Sequence, residues 1–266
     1  MKRARWLFLS SLLALTPTIV QSQSADVPIA NPARPTVSTP ATLPPVGYFQ
    51  FETGYLGAWD SPGISQQSSF NEVAKIAVPK RLELLVWWEP FGRSSVAGQD
   101  SNATGGVSLG IQGVIHKGKG ARPTVALSYF RQVYGGNVPD LDIASPLNSV
   151  GVLFSGDVKG FHYDTNYLFN EQVSGSVRRA VYGQTLSVSH PLWRSFGLSG
   201  EVWTFTQPFL QSRTVGLLWA VNYNARPNLV FDAGFNRGLT STSTRWAVFT
   251  GFTYLLPRKI SLRASR

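Results

Sequence analysis

The chain has 266 residues, of which 43% are hydrophobic and only 14% are charged, and it contains no cysteine. Charged residues usually make up about a quarter of a soluble protein, and no apolar run after the first twenty residues is long enough for a membrane helix. The composition therefore excludes a helical membrane protein and a disulfide framework, and it favours a β-rich protein in an apolar environment. The net charge of +10 comes from scattered Lys and Arg residues, so we expect no nucleic acid partner.

The first 24 residues have the organisation of a signal peptide. Three basic residues precede an apolar stretch from Trp6 to Leu15, and small polar residues follow it. This stretch is too short to span a bilayer, so we expect export and cleavage of residues 1–24.

Residues 25–47 are rich in proline and lack periodicity, which predicts an extended arm. We expect this arm in the periplasm, before the first strand.

After the arm, apolar and polar side chains alternate with the period of two that is typical of a strand. In Tyr48–Leu56, Phe49 and Phe51 share one face, whereas Gln50 and Glu52 share the other. The pattern recurs to the end of the chain and predicts about twelve strands of roughly ten residues. The predicted strands are 48–56, 68–78, 81–89, 106–116, 123–133, 148–157, 159–170, 177–190, 194–205, 214–223, 229–235 and 245–254.

The number of strands and their connections indicate the fold class. An even number of strands of about ten residues, joined by alternately long and short connections, is typical of an outer-membrane barrel. The connections at 91–105 and 134–148 are long, whereas the one at 117–122 is short. We therefore expect an all-β fold, a transmembrane antiparallel up-and-down β-barrel over residues 48–256, followed by a basic tail at 257–266.

A soluble β-sandwich or a closed lipocalin-like barrel would show the same alternation, with the apolar face turned inward. The membrane barrel is favoured because its strands exceed the five or six residues usual in a sandwich, and because aromatic residues occur near strand ends. On this interpretation the apolar faces point to lipid. The candidates for an aromatic girdle are Tyr55, Trp88, Tyr167, Trp219, Trp246 and Tyr254.

Charged residues on the polar faces are expected to line the lumen, because a Lys or Arg that faces lipid costs about 2–4 kcal/mol at the midplane. These side chains either form a selective constriction or pair with one another to fill a narrow barrel, and we favour the pairing. The lumen and selectivity candidates are Glu52, Glu83, Glu89, Arg131, Asp164, Glu201, Asp232 and Arg245.

Short motifs at the start of the predicted barrel resemble a known family. The motif residues are Arg34-Pro35, Ser38, Pro40, Pro44-Pro45, Gly47, Gln50, Glu52, Gly54 and Tyr55, with Arg81–Leu84 (RLEL) further on. This order resembles the outer-membrane transporter family that is named for the MetA pathway of phenol degradation. The chain departs from the family at Thr36, where the family usually has Asp. The resemblance covers roughly residues 34–90 and implies a barrel of about twelve strands that passes small, often aromatic, compounds.

The sequence gives little support for catalysis. Lipid-modifying barrels need a Ser or Thr nucleophile beside a His base on the lipid-facing side. The histidines are His116, His162 and His190, and parity places His162 on the polar face with Asp164. The chain has no cluster of side chains at metal-ligand spacing, so we expect no enzyme, no cofactor and no metal site.

These features predict a channel or transporter for the passive passage of small aromatic or hydrophobic solutes. We expect it in the outer membrane of a Gram-negative-type bacterium, with outer-membrane lipid, small-molecule solutes and the barrel assembly machinery as partners. Two alternatives remain. The first is a structural barrel that does not transport, its lumen plugged by the proline-rich arm, and the less favoured second is a lipid-modifying enzyme.

Overall fold

The computed structural model describes residues 28–143 and 145–260. The expected signal peptide at 1–24 and the last part of the expected tail, 261–266, lie outside the described residues. Within them the chain is mostly β-strand, with one short 3-10 helix at Pro208–Leu210. The described residues include no helix that is long and apolar enough to cross a membrane.

Thirteen strands are present in the described part of the chain. They are β1 (Phe49–Ser61), β2 (Ile64–Val78), β3 (Leu82–Val96), β4 (Gln99–Ala103), β5 (Val107–His116), β6 (Thr124–Tyr134), β7 (Asn148–Val158), β8 (Phe161–Ser174), β9 (Val177–Trp193), β10 (Phe196–Gln207), β11 (Ser212–Arg226), β12 (Leu229–Gly238) and β13 (Trp246–Leu255).

Twelve of these strands form a closed ring. Each ring strand pairs antiparallel with its neighbours in the chain, β3 pairs with β5, and β1 pairs with β13 to close the sheet. The remaining strand, β4, pairs with β3 and forms a hairpin with its end. The fold is therefore the closed, twelve-stranded, antiparallel up-and-down barrel that the sequence predicted, and each predicted strand corresponds to one strand of the ring.

The β3–β4 hairpin differs from the sequence prediction, which treated residues 91–105 as a connection. β3 instead continues to Val96 and turns at Ala97 and Gly98, whose φ angles are 50° and 78°. Two positive φ angles are typical of a two-residue type I′ turn, for which Asn-Gly is the usual sequence. An Ala at the first position gives no such signal, so the sequence does not predict the turn.

Side chains alternate between the inside and the outside of the barrel, and the outside is apolar. The outward-facing Leu84 and Tyr167 are 48% and 53% exposed, whereas the inward-facing Gln50 and Glu52 are 0% exposed. An apolar outer face over buried polar groups is the arrangement of a membrane barrel. A soluble sandwich or lipocalin-like barrel has its apolar face inside, so the outward face of this barrel does not fit those alternatives.

The two ends of the barrel differ in their connections. One end, which we call the terminal rim, carries the start of β1, the end of β13 and five connections: 79–81, 117–123, 159–160, 194–195 and 227–228. The opposite end, the long-loop rim, carries the β3–β4 hairpin, the loops 135–147 and 239–245, and shorter turns. Residue 144 within the first of these loops is not among the described residues.

Candidate functional site

The proline-rich arm lies inside the barrel. It enters at the terminal rim, where the backbone N–H of Ala30 donates to the carbonyl of Pro227 at 2.9 Å. It returns to the same rim, where the N–H of Gly47 donates to the carbonyl of Ala77 at 2.8 Å. Between these points residues 31–41 contact inward-facing side chains from several strands. This position differs from the periplasmic segment that we expected.

Glu52 of β1 holds the first part of the arm. Its carboxylate accepts hydrogen bonds from the backbone N–H groups of Ala33 and Arg34, at 3.1 and 3.2 Å. Lys75 Nζ lies 2.7 Å from the same carboxylate, and both side chains of this ion pair are buried. Arg34 in turn forms a salt bridge of 3.1 Å with Asp232 of β12. One salt bridge and the hydrogen bonds to Glu52 therefore hold the arm close to the place where β1 and β13 close the barrel.

Glu201 of β10 holds the middle of the arm. Its carboxylate accepts hydrogen bonds from the backbone N–H groups of Val37 and Ser38, at 2.7 and 2.6 Å. The hydroxyl of Ser38 also bonds to Glu201 and lies 2.8 Å from the hydroxyl of Thr185 on β9. Three donors from the arm thus converge on one buried carboxylate.

Neutral side chains continue these contacts around the wall. Asn166 of β8 accepts a hydrogen bond from the N–H of Thr39 and donates one to its carbonyl, at 2.6 and 2.9 Å. Gln112 of β5 donates to the carbonyl of Pro40 at 2.9 Å. Proline has no N–H and a fixed φ, so the arm cannot join a strand ladder. Side chains of the barrel supply the partners that its buried backbone requires.

Six of the eight lumen candidates face the interior: Glu52, Glu83, Glu89, Asp164, Glu201 and Asp232. Glu83 is 2% exposed, and its Oε2 atom has no hydrogen-bond partner among the described residues. Glu89 is half-buried and its carboxylate lies against Gly105. Asp164 accepts a hydrogen bond from the hydroxyl of Ser155 near the terminal rim. The structure thus brings three of the six, Glu52, Glu201 and Asp232, onto the arm.

The structure places Arg131 on the outer face and Arg245 at the long-loop rim, which corrects the assignment of both residues to the lumen. Arg131 shares its face of β6 with Leu127 and Tyr129, which are 45% and 42% exposed, and its guanidinium bonds to Asn148 at 3.0 Å. Arg245 is exposed and lies just before β13. Both lie near the long-loop rim. Near this rim the outward-facing Arg131 lies beyond the middle of the apolar belt. The full free-energy cost of exposing a charge to lipid at the midplane therefore does not apply to it.

All six girdle candidates face outward, but at different heights. Trp246 lies near the long-loop rim and Tyr254 near the terminal rim, as a girdle requires, whereas Trp88 lies in the middle of β3. Tyr55, Tyr167 and Trp219 lie close to the middle of their strands. The sequence missed Trp193, which is 64% exposed at the terminal rim. The prediction ended that strand at His190, before Pro191, whereas β9 continues to Trp193.

The interior on the long-loop side of the arm is apolar. Trp203 and Phe205 of β10 are each 2% exposed, and they pack with Val37 of the arm and Ile143 of loop 135–147. A cavity of about 360 Å³ lies here, with Leu56, Trp87, Trp203, Leu218 and Phe249 in its lining. The sequence missed this apolar surface, although Trp203 and Phe205 have the same parity as Glu201.

The interior on the terminal side of the arm is polar. A cavity of about 240 Å³ has His162, Asp164, Ser187, Ser199 and Asn222 in its lining. Pro35 and Thr36 of the arm line both this cavity and the apolar one. The arm therefore separates two chambers of opposite character.

Loop 135–147 closes part of the apolar chamber from the long-loop rim. Besides Ile143, it contributes Asp142, whose carboxylate accepts a hydrogen bond from the backbone N–H of Thr244. Burial raises the pKa of the Asp142 carboxyl, and the hydrogen bond from Thr244 partly opposes this shift. The sequence predicted a long connection at this position but not its inward course.

The three histidines lie in different surroundings. His162 lies between Asp157 and Asp164, with nitrogen–oxygen distances of 2.9 and 3.3 Å. His190 packs against the ring of Phe161, with 4.5 Å between the centroids, and His116 is exposed at the end of β5. Within the described residues no three His, Cys, Asp or Glu side chains are grouped so that they could hold a metal ion.

No protein-family model matches this chain, and neither does any curated protein sequence. Solved structures do match. The COG4313 outer membrane channel from Pseudomonas putida F1 has a TM-score of 0.59 and 13% identity, over 81% of this chain and 98% of that one. The NanC porin has a TM-score of 0.52 and 11% identity, over 78% and 100% of the two chains. The KdgM porin has a TM-score of 0.51 and 9% identity, over 77% and 98%. What is shared is the barrel fold. These matches do not establish membership of the phenol-degradation family, so that similarity still rests on the motifs of residues 34–90.

Proposed function

We propose that the chain is an outer-membrane channel that passes small aromatic or hydrophobic solutes through the barrel and past the arm. The proposal rests on the division of the interior, where the arm separates an apolar chamber from a polar one. The apolar outer face supports a membrane location. The fold, shared with an outer membrane channel and two porins, supports passage rather than catalysis.

The order of the two chambers sets which one a solute from outside meets first. Outer-membrane barrels carry their longer loops outside the cell and their short turns in the periplasm. A solute from outside therefore meets the apolar chamber first, where Trp87, Trp203 and Leu218 replace water around an aromatic ring. Beyond the arm, the polar chamber favours release of the solute into water.

The arm is the barrier on this route. Between Arg34 and Thr36 it lies against both chambers, and Glu52, Glu201 and Asp232 hold it there. The same contacts favour the second candidate function, a plugged barrel that does not transport. The two candidates differ in whether the arm leaves its position, and this difference can be measured.

Conductance in planar bilayers tests the proposal. We expect a small steady current through the wild-type protein. Glu201→Gln removes the charge that three arm donors share, and since each bond to a charged group contributes about 1.5–3 kcal/mol, we expect a looser arm and a current at least about twofold larger. Glu89→Gln is the matched control, because Glu89 is also an inward carboxylate but lies against Gly105 instead of the arm. Its current should equal that of the wild type.

An engineered disulfide between the arm and the barrel wall distinguishes an arm that moves during transport from an arm that stays fixed as a plug. Ser38 and Thr185 suit it, because their hydroxyl oxygens are 2.8 Å apart and the chain has no other cysteine. If solutes pass by displacing the arm, the oxidised Ser38→Cys, Thr185→Cys protein conducts less, and a reductant restores its current. If oxidised and reduced forms conduct alike, solutes pass a stationary arm. No current through the wild type, the reduced double variant or Glu201→Gln means a plugged barrel, and the channel proposal fails.

A further inference from the structure

The terminal rim is strongly cationic. Ten exposed Lys and Arg residues of the described chain lie in its connections, at the strand ends beside them and after β13: Lys80, Arg81, Lys117, Lys119, Arg122, Lys159, Arg194, Arg226, Arg258 and Lys259. Within the described residues one exposed carboxylate, Asp157, lies among them, and it is paired with His162. Each of the five connections or its flanking strand end contributes at least one cation, so the charge runs around the whole circumference.

The long-loop rim has a different charge pattern. Its cations are all arginines, and carboxylates balance them in salt bridges such as Arg93–Asp100 at 2.8 Å and Arg178–Glu171 at 2.6 Å. Among the described lysines, Lys75 is buried in the lumen and every other one lies at the terminal rim. A requirement for net positive charge would be met by cations at either end of the barrel. Their concentration at one end therefore points to a partner there.

The cations of the terminal rim lie at the edge of the apolar belt. Lys117 comes two residues after Ile115, which is 60% exposed and faces outward. Lys159 directly follows the exposed Val158. The guanidinium of Arg194 lies 4.6 Å from the ring centroid of Trp193. Long basic side chains at such a boundary keep their stems on apolar surface while their charged ends reach the polar layer.

We propose that the terminal rim binds the anionic phosphate headgroups of phospholipids in the surrounding membrane leaflet. The inference rests on the proposed outer-membrane location, which places this rim at the periplasmic leaflet. Lys and Arg near a membrane surface attract anionic lipid individually, and Arg also binds phosphate through two parallel N–H donors. An acidic soluble protein would be recognised by a single patch. A complete ring at the edge of the belt instead matches the annulus of lipid around a barrel.

The experiment uses the mature chain in phosphatidylcholine bilayers with trace spin-labelled phosphatidylglycerol or spin-labelled phosphatidylcholine. The ratio of the motionally restricted fractions of the two labels gives the preference for the anionic lipid. We expect a preference of about threefold for the wild type, and a smaller one at high salt, because exposed charges are screened. The triple variant Lys117→Gln, Lys159→Gln, Arg194→Gln should lose at least about half of it.

The matched control removes the same charge from the other end, as Arg178→Gln, Arg213→Gln, Arg245→Gln, and should keep most of the preference. Equal losses in the two triple variants would show a simple net-charge effect and overturn the proposal. A wild-type barrel that inserts but shows no preference would also overturn it, and would leave the channel proposal intact. If the protein does not insert, and boiled and unboiled samples migrate alike on a gel, the membrane barrel itself is wrong and both proposals fail.

Discussion

The two halves of the barrel interior follow the same alternation but have opposite chemistry. On β1, Glu52 and Leu56 both point inward, yet the first bonds to the arm and the second lines the apolar cavity. On β10, Glu201 and Trp203 also both point inward and differ in the same way. The alternation of a strand therefore determines the direction of a side chain. Alternation does not determine whether an inward side chain is polar. That depends on whether the side chain contacts the arm or lines the apolar cavity.

The difference between the halves comes from the arm. A proline-rich segment cannot pair with a strand, so its buried N–H and carbonyl groups need side-chain partners, and the terminal half supplies them. The long-loop half meets the apolar residues Val37 and Ile143 instead, and there Trp203 and Phe205 pack against them. The comparison can be tested on each half separately.

The largest effect is expected in the terminal half, from Glu52→Ala. The change leaves Lys75 as an unpaired buried charge and removes the acceptor for the N–H groups of Ala33 and Arg34. Breaking a buried ion pair in this way costs about 3–5 kcal/mol. The measurement is the free energy of unfolding from urea titration in lipid vesicles, followed by tryptophan fluorescence.

Glu89→Ala is the control for this prediction, because it removes an inward carboxylate from the same sheet away from the arm. It should cost about 1 kcal/mol. If Glu52→Ala does not refold, Glu52→Gln keeps an acceptor for the arm and should be destabilised to a smaller extent. Equal costs for Glu52→Ala and Glu89→Ala would mean that the arm does not stabilise the terminal half.

The sequence was sufficient to predict the ring but not its contents. Alternation in segments such as 48–56 is a local property, so the number and order of the ring strands followed from it, and so did the facing of most side chains, with Arg131 as an exception. The course of the arm depends on contacts such as Val37 with Glu201, which are 164 residues apart in the chain. Proline content shows only that the arm is not a strand. The inward course of loop 135–147 is also non-local, and the apolar pair Leu141 and Ile143 was its one signal.

A smaller effect is expected in the long-loop half, from Leu218→Asn. Leu218 is 4% exposed and lines the apolar cavity, so an amide there should weaken the binding of an aromatic ring. Liposome swelling with L-phenylalanine and L-glutamine compares two zwitterions that differ only in the side chain. We expect the wild type to favour phenylalanine and the variant to lose about threefold or more of that ratio.

Ser199→Ala is the control for the flux experiment, because Ser199 lines the polar chamber. This variant should leave the ratio of the two fluxes unchanged. If Leu218→Asn also leaves it unchanged while the protein still conducts, the apolar half does not select the solute, and the chemical difference between the halves serves folding alone.

The smallest effect is expected from the titration of Asp142. Burial disfavours its charged form and raises its pKa above the ordinary carboxyl value. A group whose pKa is raised on folding contributes its stability below the ordinary pKa and loses it as the pH rises through the raised value. The inward position of loop 135–147 should therefore be most stable in acid. We expect the single-channel current to rise by about twofold or less from pH 4 to pH 7, because the packing of Ile143 still holds the loop when Asp142 is ionised.

Asp142→Asn isolates this titration, since the amide oxygen still accepts the hydrogen bond from Thr244 but the side chain cannot ionise. The variant should show the acid-side current at both pH values. A pH profile shared by wild type and variant would show that the carboxyl of Asp142 is not its cause. In that case the packing of Ile143 against Val37 and Trp203, rather than the charge of Asp142, would hold the loop inside and keep the apolar half closed.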